Sequence, residues 1–142
     1  MNKEILYIDD NQNDIELTLE AIKNCCGLKN QIKTFNSVKK AIDYLYSLLK
    51  DIDKVNNLPL FILLDIKMPD LNGIEVLKII KENSFLKKIP VIMLTSSNMN
   101  SDISTCYELG ANAYILKKTD FLDFMDIIQK TVNFWSNINQ TI

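Results

Sequence analysis

Two apolar runs in this chain end in carboxylates. ILYIDD closes on Asp9 and Asp10, and LFILLDIKMPDLNG, from Leu60 to Gly73, places Asp65 directly after five apolar residues. A strand buried on both faces reads as a continuous apolar run, so a charge at its last position is there to be reached from the strand's end. Side by side in a parallel sheet, these strands would bring three carboxylates together. At about 4 Å and an effective dielectric of about 20, each pair repels by roughly 4 kcal/mol, so the cluster needs a cation or a proton. The chain has no histidine, and all-oxygen ligation points to a hard divalent ion, Mg²⁺ being the abundant one. Mg²⁺ held by a few carboxylates keeps positions open for phosphate oxygens. Two further apolar runs end in VIMLTSS, with Thr95, Ser96 and Ser97, and in AYILKK, with Lys117 and Lys118. Taken singly, acids and threonines after strands also cap helices, and a lysine there is ordinarily a solvated charge. Taken together, a metal, a hydroxyl and an ammonium around one carboxylate make an aspartyl-phosphate site.

The elements that must position these groups alternate. The pattern predicts strands at Ile5–Ile8, Gln31–Phe35, Leu60–Leu64, Val91–Leu94 and Ala113–Leu116, each followed by an amphipathic stretch: Asp14–Cys26, Val38–Leu49, Gly73–Glu82, Ile103–Leu109 and Phe121 to about Trp135. Five strand–helix pairs imply a parallel sheet covered by helices on both faces. Ile15, Leu19 and Ile22 recur on one face of the first helix, and Val38, Ala41, Ile42 and Leu45 on one face of the second. Ser37 can cap the second helix, Gly110 can end the fourth, and Pro90 precedes the fourth strand. In a doubly wound sheet, ligands gather beyond the carboxyl ends of the strands where the strand order switches. The first and third strands, with their acidic ends, meet there. The polar stretch KDIDKVNNL (50–58) reads as a solvated loop insertion, and 136–142 as a short tail that frays or docks.

Composition narrows the function. With 142 residues, 47% hydrophobic and 24% charged, the chain is expected to form one domain spanning 1–142, its core over about 3–135. A net charge of −2 argues against binding a nucleic-acid backbone. No apolar run is long enough to cross a bilayer, and the N-terminus lacks a signal peptide, so a cytoplasmic protein is expected. Three cysteines, two adjacent at Cys25 and Cys26, match neither a disulfide framework nor a zinc pattern and read as thiols.

The set ILYIDDN, LLDIKMPDLNG, VIMLTSS and ELGANAYILKK resembles the receiver domain of two-component response regulators, over Lys3 to about Trp135. The resemblance implies a CheY-like, flavodoxin-like α/β fold, a three-layer (βα)5 sandwich with strand order 2-1-3-4-5. It implies Asp65 as phosphoacceptor, with Asp10, Asp65 and the Lys67 backbone carbonyl on Mg²⁺ and Asp9 acting through water or toward Lys117. Thr95 and Lys117 would hold phosphoryl oxygens, and Tyr114 would turn inward as Thr95 moves. Met68 and Pro69 would shape the loop after Asp65, and Gly73 would free the backbone for the turn. The donor must be a histidine kinase, since this chain has no histidine, and the chemistry is self-directed rather than that of an enzyme with a free substrate.

Finer features are similar to single-domain regulators associated with bacterial phytochromes: Asp14 and Leu17 after the acidic start, the lengthened loop before the third strand, YELGAN and a last helix carrying Phe134-Trp135. A phytochrome-type sensor kinase is the partner this implies. Two positions depart from the family. Lys118 stands where proline, often in a cis bond, usually follows the lysine, and Lys67 puts a cation two residues past Asp65, where it could lean over the phosphoryl group. The last helix is broadly apolar, with Phe121, Phe124, Met125, Ile127, Ile128, Val132, Phe134 and Trp135, which predicts a homodimer through a second buried face. No output domain is expected, so signalling would run by contact with a downstream protein or phosphotransfer domain. A haloacid dehalogenase would need a second aspartate where Lys67 stands, and a flavodoxin a hydroxyl- and glycine-rich first loop where DDNQND stands. The remaining alternative is a receiver-like module that binds proteins without phosphorylation.

Overall fold

The computed structural model describes residues 3–25, 27–50, 57–68 and 72–141. Its centre is a parallel sheet of strands β1 (Ile5–Ile8), β2 (Ile32–Phe35), β3 (Phe61–Leu64), β4 (Val91–Thr95) and β5 (Ala113–Leu116), in the spatial order β2-β1-β3-β4-β5. The expected flavodoxin-like, CheY-like α/β fold is the one observed. The apolar runs without alternation, β1, β3 and β4, are buried along their whole length, while β2 and β5 are half-buried at the two edges. That is the distribution expected when helices cover both faces and only inner strands are enclosed on every side.

Helices α1 (Gln12–Lys23) and α5 (Phe121–Asn133) cover one face, and α2 (Val38–Leu48), α3 (Gly73–Glu82) and α4 (Asn100–Glu108) cover the other. Successive strand residues divide between the two layers. Ile5, Tyr7, Phe61 and Leu63 meet Ile15, Ala21, Ile22, Phe124, Ile128 and Val132, whereas Leu6, Ile8, Ile62 and Leu64 meet Val38, Ala41, Leu45, Val76, Leu77 and Ile80. Each fully enclosed Leu or Ile contributes on the order of 1.5–3 kcal/mol. The helix ends follow sequence signals: Ser37 accepts from Lys40 N–H, Asp120 from Asp123 N–H, and Gly110, at φ +104°, closes α4.

Several expectations are corrected. Leu19 is 37% exposed; the inward stripe of α1 runs Ile15, Thr18, Ala21, Ile22, so at 3.6 residues per turn Leu19 falls at the margin of the buried face; the helix also begins earlier than expected, at Gln12, with Asn11 as its cap. Ile42 is only partly covered. On α5, Phe124, Ile128 and Val132 are buried, Met125, Ile127 and Trp135 pack partly against the core, and Phe121 and Phe134 stand exposed. The chain then widens into a π turn, Phe134–Ile138, with Asn139 N–H donating to Phe134 C=O. Ser136 and Asn137 of this turn lie beside Lys3 and Lys29 at the amino edge of the sheet, and Thr141, beyond it, beside Lys88. Within the insertion, 51–56 lie outside the described residues; Leu58 is buried rather than solvated. Cys106 is a buried free thiol, as read; Cys26 lies outside the described residues.

Candidate functional site

The sheet register sets the first two acids side by side. Ile8 aligns with Leu64 across β1 and β3, so Asp9 and Asp65 each stand one residue past the aligned ends, and Asp65 N–H donates to Ile8 C=O at 3.0 Å. Both carboxylates are buried. Asp10, next along, is exposed. One carboxylate oxygen from each of Asp9, Asp10 and Asp65 lies within 4.8 Å of the others. Such a set, all oxygen and partly open, has the chemistry of a Mg²⁺ or Mn²⁺ site rather than of a softer metal.

The same register logic delivers the lysine. Thr95 aligns with Leu116, and Lys117, one residue beyond, donates its N–H to Thr95 C=O at 2.8 Å. From there its ammonium reaches three carboxylates: Asp9 Oδ2 at 2.6 Å, Asp14 Oδ2 at 2.7 Å and Asp65 Oδ2 at 3.2 Å. No peptide bond among the described residues is cis; Lys117 arrives at the acids with Lys118 following in a trans bond. Burial acts to lower the Lys117 pKa, but the hydrogen bonds to Asp14 and Asp9 outweigh it and hold the ammonium well above its ordinary value. For Asp65 burial is the largest influence and pushes its carboxyl up; Lys117 opposes this, Asp9 reinforces it, and a hydrogen bond with Thr95 opposes it. Three carboxylates thus share one ammonium.

Asp9 is held from behind as well. The Tyr7 hydroxyl, fully buried, donates to Asp9 Oδ2 at 2.6 Å, and Asn11 N–H donates to Asp9 Oδ1 at 2.9 Å. Burial, then the neighbouring Asp9 charge, drives the Tyr7 pKa far upward, so the phenol stays a donor. Neither Asp14 nor Tyr7 was assigned a role in this site from the sequence. A signal existed for each: Asp14 stands in the first turn after the acidic pair, and a tyrosine hydroxyl inside a buried strand ordinarily needs a partner.

Thr95 is buried at the end of β4, and its Oγ1 accepts from Ser97 N–H at 3.4 Å. Ser97 Oγ donates to Asp102 at 2.5 Å, and the half-buried Tyr114 donates its hydroxyl to Ser97 C=O at 2.8 Å. Thr95 and Tyr114 are therefore linked through Ser97 rather than directly. Asp10, Ile66, Lys67, Met68 and Asn72 line an open cleft beside Asp65, with the Lys67 side chain exposed; Pro69 lies outside the described residues. Gly73 is required for a different reason from the turn freedom expected. Its φ is not positive, but a Cβ there would fall 1.9 Å from Asp65 C=O, and its N–H donates to Ile66 C=O at 2.6 Å. Gly73 is thereby set close against the backbone of Asp65 and Ile66.

Comparison with known proteins agrees with this arrangement. The family model of the response regulator receiver domain matches residues 5–129, and the chain belongs to that family, whose members share a phosphoacceptor role. It is 31% identical over 137 residues to the probable methanogenesis regulatory protein FilR2 of Methanothrix harundinacea, covering 96% of this chain and 86% of that one. It is 32% identical over 133 residues to response regulator Rcp1 of Synechocystis, covering 94% and 88%. Among solved structures it is similar to the phosphorylated cyanobacterial phytochrome response regulator RcpA, with a TM-score of 0.88, 32% identity and 99% of each chain covered. The Mn²⁺-bound form of Rcp1 gives a TM-score of 0.86 at 30% identity, again with 99% of each chain covered.

Proposed function

We propose that this chain is a response regulator receiver unit that takes a phosphoryl group onto Asp65 from a partner histidine kinase in a Mg²⁺-dependent reaction. The observation that carries this reading is the convergence of Asp9, Asp10 and Asp65 on an edge where Lys117 lies 3.2 Å from Asp65 and Thr95 is buried beside it. An Asp65 oxygen attacks the phosphorus of a phosphohistidine, the P–N bond breaks, and the departing imidazole takes up a proton. Lys117 and Thr95 donate to the phosphoryl oxygens, countering the charge that moves onto Asp65. Mg²⁺, when bound by Asp9, Asp10, Asp65 and the Lys67 carbonyl, supplies positive charge against the same oxygens. Water later hydrolyses the acyl phosphate, so the chain acts on itself and is a signalling protein rather than an enzyme.

Output follows from a population shift. A charge-assisted hydrogen bond contributes about 1.5–3 kcal/mol, and about 5.5 kcal/mol moves an equilibrium from 1:99 to 99:1; the bond from Thr95 supplies part of that, while Lys117 exchanges Asp65 for a phosphoryl oxygen. The Thr95–Ser97–Tyr114 chain of hydrogen bonds leads from the site to the α4–β5–α5 face. Phe121 and Phe134, exposed on or next to α5, suit a homodimer contact there, and a downstream protein or phosphotransfer domain would read the same face. The likeness to Rcp1 and RcpA favours a phytochrome-type sensor kinase as donor. Among the described residues no helix is long and apolar enough to cross a membrane, and the working compartment we assign, as that of the histidine-kinase donor proposed here, is the cytoplasm.

Intact mass after incubation with acetyl phosphate, with and without Mg²⁺, tests the reading. We expect a labile gain of one phosphoryl group in the native chain with Mg²⁺ and none in Asp65→Asn. No gain in a folded native chain, repeated with a histidine-kinase donor, would leave the phosphorylation-independent binding module as the better account.

A further inference from the structure

The Lys117 ammonium has three N–H donors, and all three are used: Asp9, Asp14 and Asp65 accept one each. Two of these acceptors lie closer than the third, and the third is the phosphoacceptor position of the function proposed above, on which this inference rests. The unusual partner is Asp14. An acid in the first turn of a helix is ordinarily explained by the helix dipole, or by a capping box in which the third helical residue accepts from the cap residue's N–H. Asp14 is that third residue, and Asn11 is the cap. Yet Asn11 N–H is directed to Asp9 Oδ1 at 2.9 Å, while Asn11 Oδ1 accepts from Asp14 N–H at 3.1 Å. The helix end is therefore capped in one direction only, and the Asp14 carboxylate is released to face Lys117, its side chain 23% exposed.

We propose that Asp14 is a positioning residue for phosphoryl transfer: with Asp9 it fixes two of the three Lys117 donors, so that the third faces Asp65 and the phosphoryl oxygens that replace it as acceptor. The restraint comes from α1, across the sheet layer from β5, and ties the lysine to the helix that follows the acidic pair. On phosphorylation Lys117 keeps both anchors and transfers one hydrogen bond, which limits the rearrangement at the moment of reaction.

The alternative account, in which Asp14 only adds negative charge, predicts the opposite sign, because removing a charge that repels an anionic donor speeds phosphorylation. The test is Asp14→Asn at saturating Mg²⁺ with acetyl phosphate, alone and combined with Lys117→Gln. Anchoring predicts phosphorylation slowed about tenfold in the single variant, and no further slowing in the combined variant relative to Lys117→Gln alone. A rate unchanged or raised in Asp14→Asn, or an equal slowing in both backgrounds, would overturn the proposal. The ¹⁵N–¹H signal of the Lys117 ammonium gives a readout independent of chemistry: sharp in the native chain, because its protons are held, and shifted or lost in Asp14→Asn if Asp14 holds one. An identical signal in both chains would likewise overturn the anchor. Were the native chain to take no phosphoryl group, the functional reading would fail while this signal still decided the anchor.

Discussion

Each end of the sheet carries one lysine with all its donors engaged, Lys81 half-buried and the Lys117 side chain nearly covered, and the two lysines are in opposite electrostatic situations. At the carboxyl edge, Lys117 is surrounded by the charges of Asp9, Asp14 and Asp65, which hold its pKa above the ordinary value against the effect of burial. At the amino edge, Lys81 at the end of α3 donates to Lys87 C=O, Ile89 C=O and Asn112 Oδ1, all neutral, and burial lowers its pKa. Asn112 Oδ1 also accepts from Val91 N–H, so Lys81 ties the starts of β4 and β5 to α3. Both lysines satisfy their donors, but only the first sits among groups whose charge can change. The amino edge is a fixed joint; at the carboxyl edge an excess of negative charge leaves the energy balance open to a cation or a phosphoryl group.

The comparison breaks most severely at Lys117. Replacing it by methionine leaves buried Asp9 and Asp65 without their cation, and removing one partner of a buried pair costs about 3–5 kcal/mol. The Lys117→Met chain is expected to lose about 3–5 of the roughly 5–15 kcal/mol typical of a domain in denaturant unfolding, and to recover part of it in millimolar Mg²⁺, which the carboxylates would then hold. Lys81→Met is expected to cost less, about 1–2 kcal/mol for carbonyls left without a donor, with no recovery in Mg²⁺. Equal losses, or recovery at both sites, would remove the distinction between the edges.

The smallest effect sharpens the contrast in sign. Burial raises the Asp65 carboxyl pKa in the folded chain. A raised folded value contributes stability that is complete below the ordinary carboxylate pKa and is lost as pH rises through the folded value. Asp65→Asn, measured without divalent ions, is therefore expected to melt above the native chain at pH 7, by about 2–4 °C. That advantage should narrow as pH falls toward 4. A constant difference across this range would show that the Asp65 charge is not what the fold opposes.

Legibility followed the range of the interactions. Apolar runs and helical spacing report local environment, so the strands were readable, while their order came from the resemblance to the receiver family; Asp9, Asp65, Thr95 and Lys117 were readable because each directly follows such a run. Helix faces were read less well: Leu19 shares the apolar spacing of Ile15 and Ile22, and only the packing of α1 set the buried stripe through Ile15, Thr18, Ala21 and Ile22 and left Leu19 at its margin. The α5 residues all looked alike as apolar letters, and only packing separated buried Phe124 from exposed Phe121.

The sequence by itself determined the doubly wound α/β fold and the edge on which the acids gather, since a two-sided buried strand admits no charge except at its end. Tertiary structure decided the wiring among those groups. Asp14 reaches Lys117 across 103 positions of chain, Tyr7 turns its hydroxyl onto Asp9, and Gly73 is needed because Asp65 C=O occupies the space of a side chain. None of these contacts has a period or a motif; each exists because packing two helical layers on one sheet brings distant residues within hydrogen-bond reach.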